Sequence, residues 1–596
     1  MPGEYNFEAC SLRRTLAIQD YAAVGDGRSV ALIGLDGSVG WWCLPTLDSA
    51  PLLDALLDVE RGGILVVQPE APFNAKRSYR QDSNVLETLF TTDAGVLRVT
   101  DSMNSSFAGR LPWCELARRI EVVSGTVTVT VSFICGTRAD TVSPWLQPTS
   151  NGTVFHAGSV IGMLRTSSNI VIKQEGDRGI FGSATLTQDD RALVAIVASE
   201  NQPLAVPPIE EIDERIDVSD AAWRIWTQHL KYTGPYADWV CRSALALKLL
   251  LFSPSGAIAA AATTSLPERI GGDKNYDYRY AWVRDASYTI HAFLWLRQMP
   301  ESHAAISWLI DQLGEAGAKV CFRLDGGPVP PVQPSHMPGY RGSRPVVIGN
   351  VAAAQMQLGV YGDIFEAVAL FVACGNVLDP TSVQILSRLA NECADSWRQP
   401  DSGMWELKET RHYTMSKVSA WQALNRAIEL AEKGHFAPAC VPRWNRERER
   451  IAAWINKNCW SDKLSAYTFY PGTEKLDSSI VLAVRFGFPE RAKLSATCSA
   501  IQKHLARGPL LYRYTGAEEQ EGAFLACSFW LAEAYATLGQ NQEAKQLIED
   551  TLALLPKEIG ILSEQIDVES NEFLGNVPQG LSHLALIHAI LSLNPK

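Results

Sequence analysis

Between residues 20 and 200 apolar and polar positions alternate in short runs broken by turn residues. Thr126 to Phe133 (TVTVTVSF) alternates strictly, the pattern of a strand with one face on a core. Gly34 to Pro45 (GLDGSVGWWCLP) sets turn glycines ahead of strand residues, and VLRVTDSM, GTVFHAGSVIGMLRT and ALVAIVAS continue the pattern. Many short strands with few helical periods predict an antiparallel β-sandwich over residues 1–208. The texture changes at EEIDERIDVSDAAWRIWTQHL, which has helical period and high charge and predicts a linker helix within 209–234. From 235 to 596 helical period dominates. Helices are predicted over 236–252, 284–299, 301–318, 349–375, 380–398, 414–433, 444–460, 475–487, 489–506, 519–538, 540–554 and 577–594. Twelve is the number that six helical hairpins need to close into a ring. An open solenoid would need as many, but no sequence recurs at a fixed period.

Long polar loops rich in Gly and Pro interrupt these helices at 262–283, 323–348, 400–413, 508–520 and 560–577. Loops of that length in a compact domain usually carry function. Composition narrows what the function can be. The 596 residues are 46% hydrophobic and 20% charged, ordinary for a soluble globular protein. A net charge of -12 gives no attraction for a phosphate backbone, so nucleic acid is not an expected partner. No apolar run is long enough to span a membrane, and the start, MPGEYNFEACSLRR, has no apolar export core. The 12 cysteines include no CxxC pair and read as reduced, mostly buried thiols. These features predict a cytoplasmic protein.

Phosphate-binding glycine loops, HExxH and GxSxG are all missing from the sequence, which removes the usual support for nucleotide, zinc-protease and serine-hydrolase chemistry. His583 and His588 read as packing residues. What remains is carboxylates beside aromatic rings. Sugars present flat apolar C–H faces and a rim of hydroxyls, so a sugar site wants aromatic platforms and charged hydrogen-bond partners. GGDKNYDYRYAWVRDASY places Tyr276, Tyr278, Tyr280 and Trp282 beside Arg284 and Asp285. Glu406 follows Trp405, and burial against an indole would raise its pKa. Glu564 lies in Ser563-Glu564-Gln565 after the apolar run Ile559 to Leu562. Taken singly, Glu406 reads first as a surface acid after a core tryptophan and Glu564 as a solvated acid, while Asp285 could also be a helix-cap acid.

Taken together the segments resemble glycoside hydrolase family 15, the family of glucoamylases and some bacterial trehalases. IQDYAAVGDGRSVALIGLDGSVGWWCLP resembles the N-terminal domain of its bacterial members. GGDKNYDYRYAWVRDASY, GYRGSRPVVIGNVAAAQMQLGVYGD, SGMWELKETRHYTMSKVSAWQALNRA, LYRYTGAEEQEGAFLACSFWLAEA and ILSEQID resemble its active-site loops, in the family's order. The resemblance implies an N-terminal β-sandwich followed by an (α/α)6 barrel, with no cofactor or metal. It implies Glu406 as general acid and Glu564 as general base of an inverting hydrolysis. Arg284 and Asp285 would bind the terminal glucose, Tyr278, Trp282 and Trp405 would line the pocket, and Arg513 would reach the same sugar. Arg344 and Trp421 are further candidates, and Leu47 to Pro51 is a candidate for the rim. A small carbohydrate is the expected ligand, and a homo-oligomer is the assembly to look for.

Two departures bear on substrate. Leu407 stands where fungal glucoamylases carry a second glutamate, and Tyr276 stands where tryptophan is common. With no visible starch-binding domain, short α-glucans are expected ahead of starch, with trehalose as the alternative. Other readings are a non-catalytic sugar-binding relative, a helical scaffold for proteins, and an enzyme for acidic sugars using Arg341 and Arg344.

Overall fold

A computed structural model describes residues 15–106 and 109–593. The first domain is a two-layered antiparallel assembly of fifteen strands between Tyr21 and Glu200. One long strand, Cys114–Ile134, belongs to both layers. Its first half pairs with Gly95–Met103 and Arg191–Glu200. Its second half pairs with Ile64–Pro69 and Gly179–Thr187. The crossover falls at Gly125, with φ +75°, where a Cβ would lie 2.1 Å from the carbonyl oxygen of Ala94. Only glycine fits there. Past it, Val127, Val129, Val131 and Phe133 turn inward, as the alternation predicts. The Phe133 ring meets Phe155 of the other layer at 5.2 Å between centroids.

Helix α1, Ile209–Thr227, lies on the back of this domain and ends well before residue 234. Its charge has a structural use. Arg119 of the long strand donates to Asp213 at 2.6 Å and to Asp217 at 2.8 Å. Arg215 makes a two-pronged pair with Glu115, both contacts at 2.8 Å. Ile212 and Ile216 fill the space between against Val85, Ala195 and Val197.

The second domain contains α2 (Ala237–Leu250), α3 (Val283–Trp295), α4 (Met299–Ala316), α5 (Gly359–Ala373), α6 (Pro380–Ser396), α7 (Thr414–Glu432), α8 (Val441–Asn458), α9 (Leu482–Arg485), α10 (Arg491–Leu505), α11 (Leu525–Leu538), α12 (Asn541–Leu552) and α13 (Gly580–Ser592). Helices α3, α5, α7, α9, α11 and α13 form an inner ring in sequence, α7 meeting the 3-10 turn Ser478–Val481 that runs into α9 and α13 returning to α3. The alternate helices form an outer ring. The sequences divide accordingly: α11 is buried on every side from Leu525 to Ala536, whereas α8 buries only Trp444, Glu447, Ile451 and Ile455. This is the expected (α/α)6 barrel.

Three predicted helices are shorter than their apolar patterns suggest. Residues 349–358 are a loop with a 3-10 turn, because the Asn350 side chain accepts from the Ala352 amide at 2.9 Å and caps the turn. Asp477 does the same to Ser479 and reduces 475–487 to a 3-10 turn plus α9. Residues 523–524 are drawn into a small sheet, Ala523–Phe524 pairing with Gln565–Ile566 and that in turn with Phe573–Leu574. Among the described residues no helix is long and apolar enough to cross a membrane.

The domains are tied together. The Trp41 indole donates to the carbonyl of Ala262 at 2.9 Å, and Arg279 donates to the carbonyl of Ser49 at 2.6 Å. The Leu47 to Pro51 segment thus braces the loop ahead of α3 from behind. None of its residues lines the pocket described next.

Candidate active site

The loops leading into the inner helices converge at one end of the barrel on a cavity of about 790 Å³. That size suits one small molecule, since such sites span roughly 300–1,000 Å³. Tyr278, Trp282, Arg284, Asp285, Trp405, Glu406, Arg513 and Glu564 all line it, from loops far apart in sequence. Tyr276 and Leu407 line it too.

Glu406 sits in a tight turn ahead of α7, with its own φ at +60° and that of Gly403 at +66°. Its amide donates to the carbonyl of Gly403 at 3.2 Å, and Leu407 N to that of Ser402 at 3.0 Å. The left-handed turn sends neighbouring side chains apart. Trp405 goes inward, packing on Phe524 and Trp530 and donating to Asp477 at 2.8 Å. The indole that meets Glu406 is instead Trp282, whose Nε1 donates to Oε1 at 2.8 Å. Burial is the main influence on Glu406 and raises its pKa, with Arg284, 3.7 Å away, pulling the other way. A methyl at Gly403 would lie 2.9 Å from the Tyr413 ring. Gly403→Ala is therefore expected to cost about 1–2 kcal/mol, the usual penalty for a left-handed non-glycine residue. Urea unfolding checks this.

Arg284 and Asp285 open α3. Arg284 donates to the carbonyl of Met404 at 2.7 Å, tying α3 to the Glu406 turn, and its Nη2 lies 2.9 Å from Asp285 Oδ2. Asp285 Oδ1 is buried with no partner in the protein. Tyr278 meets Trp282 edge-on at 5.4 Å and Tyr276 face-on at 6.1 Å. These rings make an aromatic wall beside the polar pair.

Glu564 stands at the edge of the small sheet and is 3% exposed. A Cβ on Gly575 would come within 2.5 Å of its Oε2, so the backbone there closes over the carboxyl. Burial first, then the charge of Glu268, drives its pKa well above the usual carboxylate range, with Arg513 opposing. This differs from the expected pattern of a raised acid and an ordinary base: both glutamates are raised, and Glu564 is in the more acidic company. The physical reason is a cluster that the sequence does not announce. Arg513 donates to Glu521 through Nε at 2.6 Å and again through Nη2, which also meets Glu268 at 2.8 Å. Lys274 pairs with Glu521 at 2.7 Å. In the sequence Glu521 sits in the acidic run AEEQEG, which reads as a solvated face, and Glu268 sits alone after a proline.

Arg344 lies outside the cavity. It is exposed on the 323–348 loop and donates to the carbonyl of Pro338 at 3.4 Å, so it does not meet a sugar in this pocket. Arg341 is engaged with Glu572 at 2.8 Å, and Trp421 is buried in α7 against Phe488. The acidic-sugar reading thereby loses both of its cations. Among the described residues, no group of three or more His, Cys, Asp or Glu is placed to hold a metal.

The profile of glycosyl hydrolases family 15 matches residues 234–558, more than half of the chain. The chain belongs to family 15. The family domain is preceded by a match to the trehalase-like N-terminal domain over residues 12–203. Two relatives extend the family likeness over the whole length. A protein named trehalase from Thermoplasma volcanium is 30% identical over 586 residues, covering 96% of this chain and 92% of its own. One of the same name from Mycolicibacterium smegmatis is 32% identical over 615 residues, covering 96% and 91%. A crystal structure of a bacterial glucoamylase complexed with acarbose superposes with a TM-score of 0.72 over 97% of this chain and 94% of that one. At 12% identity that likeness concerns the fold alone. This family 15 chain is thus a glycoside hydrolase.

Proposed function

We propose that the enzyme hydrolyses α,α-trehalose to two glucose molecules with inversion at the cleaved carbon. The observation that carries this is the near full-length match, at 30% identity or more, to relatives named trehalase. The geometry supports it with two glutamates from different loops opening on one cavity of disaccharide scale. Glu406, whose pKa burial raises and whose carboxyl Trp282 orients, gives its proton to the leaving oxygen. Glu564 takes a proton from water on the far side of the sugar, an arrangement that requires the carboxyls to stand roughly 6.5–9.5 Å apart. Asp285 Oδ1 accepts from a hydroxyl of the terminal ring, and Arg284 fixes the carboxylate beneath it. Asp285→Asn is expected to lower kcat/KM by about 10- to 100-fold, the worth of one hydrogen bond to a charged group. Steady-state kinetics on trehalose checks this.

The stereochemistry gives a sharp test. The cleaved carbon of trehalose leaves as β-glucose, while the leaving sugar keeps its α configuration. Proton NMR over the first minutes should show the two anomers in equal amounts. Only α-glucose at early times would rule out inversion.

A second reading is release of β-glucose from the non-reducing end of short α-glucans, the function expected first from sequence. It is favoured by Trp282, Arg284 and Asp285, which would all address the first ring and not the second. Maltose, isomaltose and maltotetraose in the same NMR experiment decide: any of them outrunning trehalose would reverse the order.

A further inference from the structure

The buried cluster behind Glu564 holds three carboxyls, Glu268, Glu521 and Glu564, against two cations, Arg513 and Lys274. If every group is ionised, one negative charge is left over. Glu521 is not the source. It is matched on both sides, by Arg513 and by Lys274, and its pKa is lowered. Glu268 is matched on one side only: Oε2 accepts from Arg513, while Oε1 is buried with no partner in the protein. Its backbone cannot move aside. Glu268 N donates to the carbonyl of Lys274 at 3.1 Å, and its own carbonyl accepts from Gly522 N at 3.0 Å. The preceding residue, Pro267, accepts from Gly575 N at 2.8 Å, and Gly575 is the residue pressed against the Glu564 carboxyl.

We infer that Glu268 is a positioning residue for the base: a half-compensated carboxyl, held in place by its backbone, whose charge when ionised sets the pH range in which Glu564 can accept a proton. It lines no part of the cavity, so it acts through Glu564 and not on the sugar. The inference rests on Glu564 being the base. Other titratable groups around Glu564 are Glu406 and Tyr278 across the cavity, Tyr276 beside Tyr278, Arg513 and Glu521 from the next loop, and Lys274 from the loop ahead of α3. His583, under the start of the Glu564 loop, is held neutral by burial and contributes no charge at working pH. Among these, Glu268 has the largest electrostatic influence on Glu564, and burial and neighbouring acids raise its own pKa to about 7.

The sign follows from like-charge repulsion. A negative neighbour makes Glu564 hold its proton to higher pH, so removing that neighbour lets it ionise earlier. Glu268→Gln is expected to move the acid limb of the kcat/KM profile down by about one pH unit, the scale of one partly screened neighbouring charge. Lys274→Met removes a compensating cation and is expected to move the limb up. Glu268→Asp, which keeps the charge, should leave the limb near its original place. Opposite shifts in the first two variants are not produced by loosened packing alone.

The same question can be asked without turnover. Infrared titration of the full chain follows protonated carboxyl bands, and the band lost in Glu564→Gln identifies Glu564. That band should titrate at lower pH in Glu268→Gln and at higher pH in Lys274→Met. If Glu268→Gln does not fold, Glu268→Leu, which removes the charge without leaving a buried polar group unpaired, takes its place and should shift the band the same way. An unmoved midpoint and an unmoved limb would overturn the inference. Failure to cleave any α-glucoside, with the infrared shifts present, would instead overturn the proposed function and leave the charge coupling standing.

Discussion

Glu564→Gln should abolish hydrolysis, lowering kcat on trehalose by about 10³- to 10⁴-fold, the upper range for loss of a positioned base. Glucose binding, read by calorimetry, should change little, because Arg284, Asp285 and Trp282 are untouched. Activity near that of the parent would remove Glu564 as the base. The variant should also be more stable than the parent at neutral and alkaline pH. The sign can be worked out from the raised pKa of the buried Glu564. The folded chain holds this proton at pH values where the unfolded chain has lost it. Stability therefore falls as pH rises from the ordinary carboxylate range through the folded value. Glutamine has no proton to lose, so the gap in melting temperature should widen with pH and close near pH 4. Catalysis and stability are opposed at this one side chain.

Glu406→Gln should act differently, and the contrast separates the two roles. Glutamine keeps the shape and can still meet the Trp282 indole through its oxygen, but it carries no proton to give. Trehalose, whose leaving group is a sugar hydroxyl, should react about 10²- to 10⁴-fold more slowly. α-Glucosyl fluoride needs little protonation on departure and should lose less than about tenfold by the same reasoning. Equal losses on both substrates would mean that Glu406 acts on the ring and not on the leaving oxygen. The parent should also lose activity as Glu406 ionises, giving kcat/KM a basic limb that lies above the ordinary glutamate range because burial raises Glu406.

Much of this architecture was legible in the chain. Strict alternation from Thr126 marked a strand, and helical period after residue 235 marked the barrel. The inner helices were readable because their apolar residues run right around. Errors came where a single polar side chain overrules an apolar run. Asn350 and Asp477 each cap a short turn and so shorten helices that hydrophobic period alone would extend. The site was legible where chemistry and aromatic residues cluster, as in the loop from Tyr276 to Asp285. Arg344 was misplaced because a cation in a motif-rich loop carries no sign of which way it faces. Glu268 and Glu521 were missed for the opposite reason: buried acids are recognisable by the cations that neutralise them, and Arg513 and Lys274 reach them only through the fold. The pairing of Glu406 with Trp282 in place of the adjacent Trp405 depends on one positive φ, which no pattern of residue types displays.

The segment that follows Glu564 is held from outside the barrel as well as from within. Phe573 N donates to the Gln19 side chain, Tyr340 donates to the carbonyl of Leu16, and Arg341, next to Tyr340, grips Glu572. With Trp41 seated on Ala262, the boundary between the domains is a mechanical joint under the catalytic floor. A barrel cut free at that boundary would keep every residue that lines the cavity and lose the ties to Gln19 and Leu16 beside the segment that follows Glu564. The β-domain is in this sense part of the support behind the Glu564 loop and not a separate attachment.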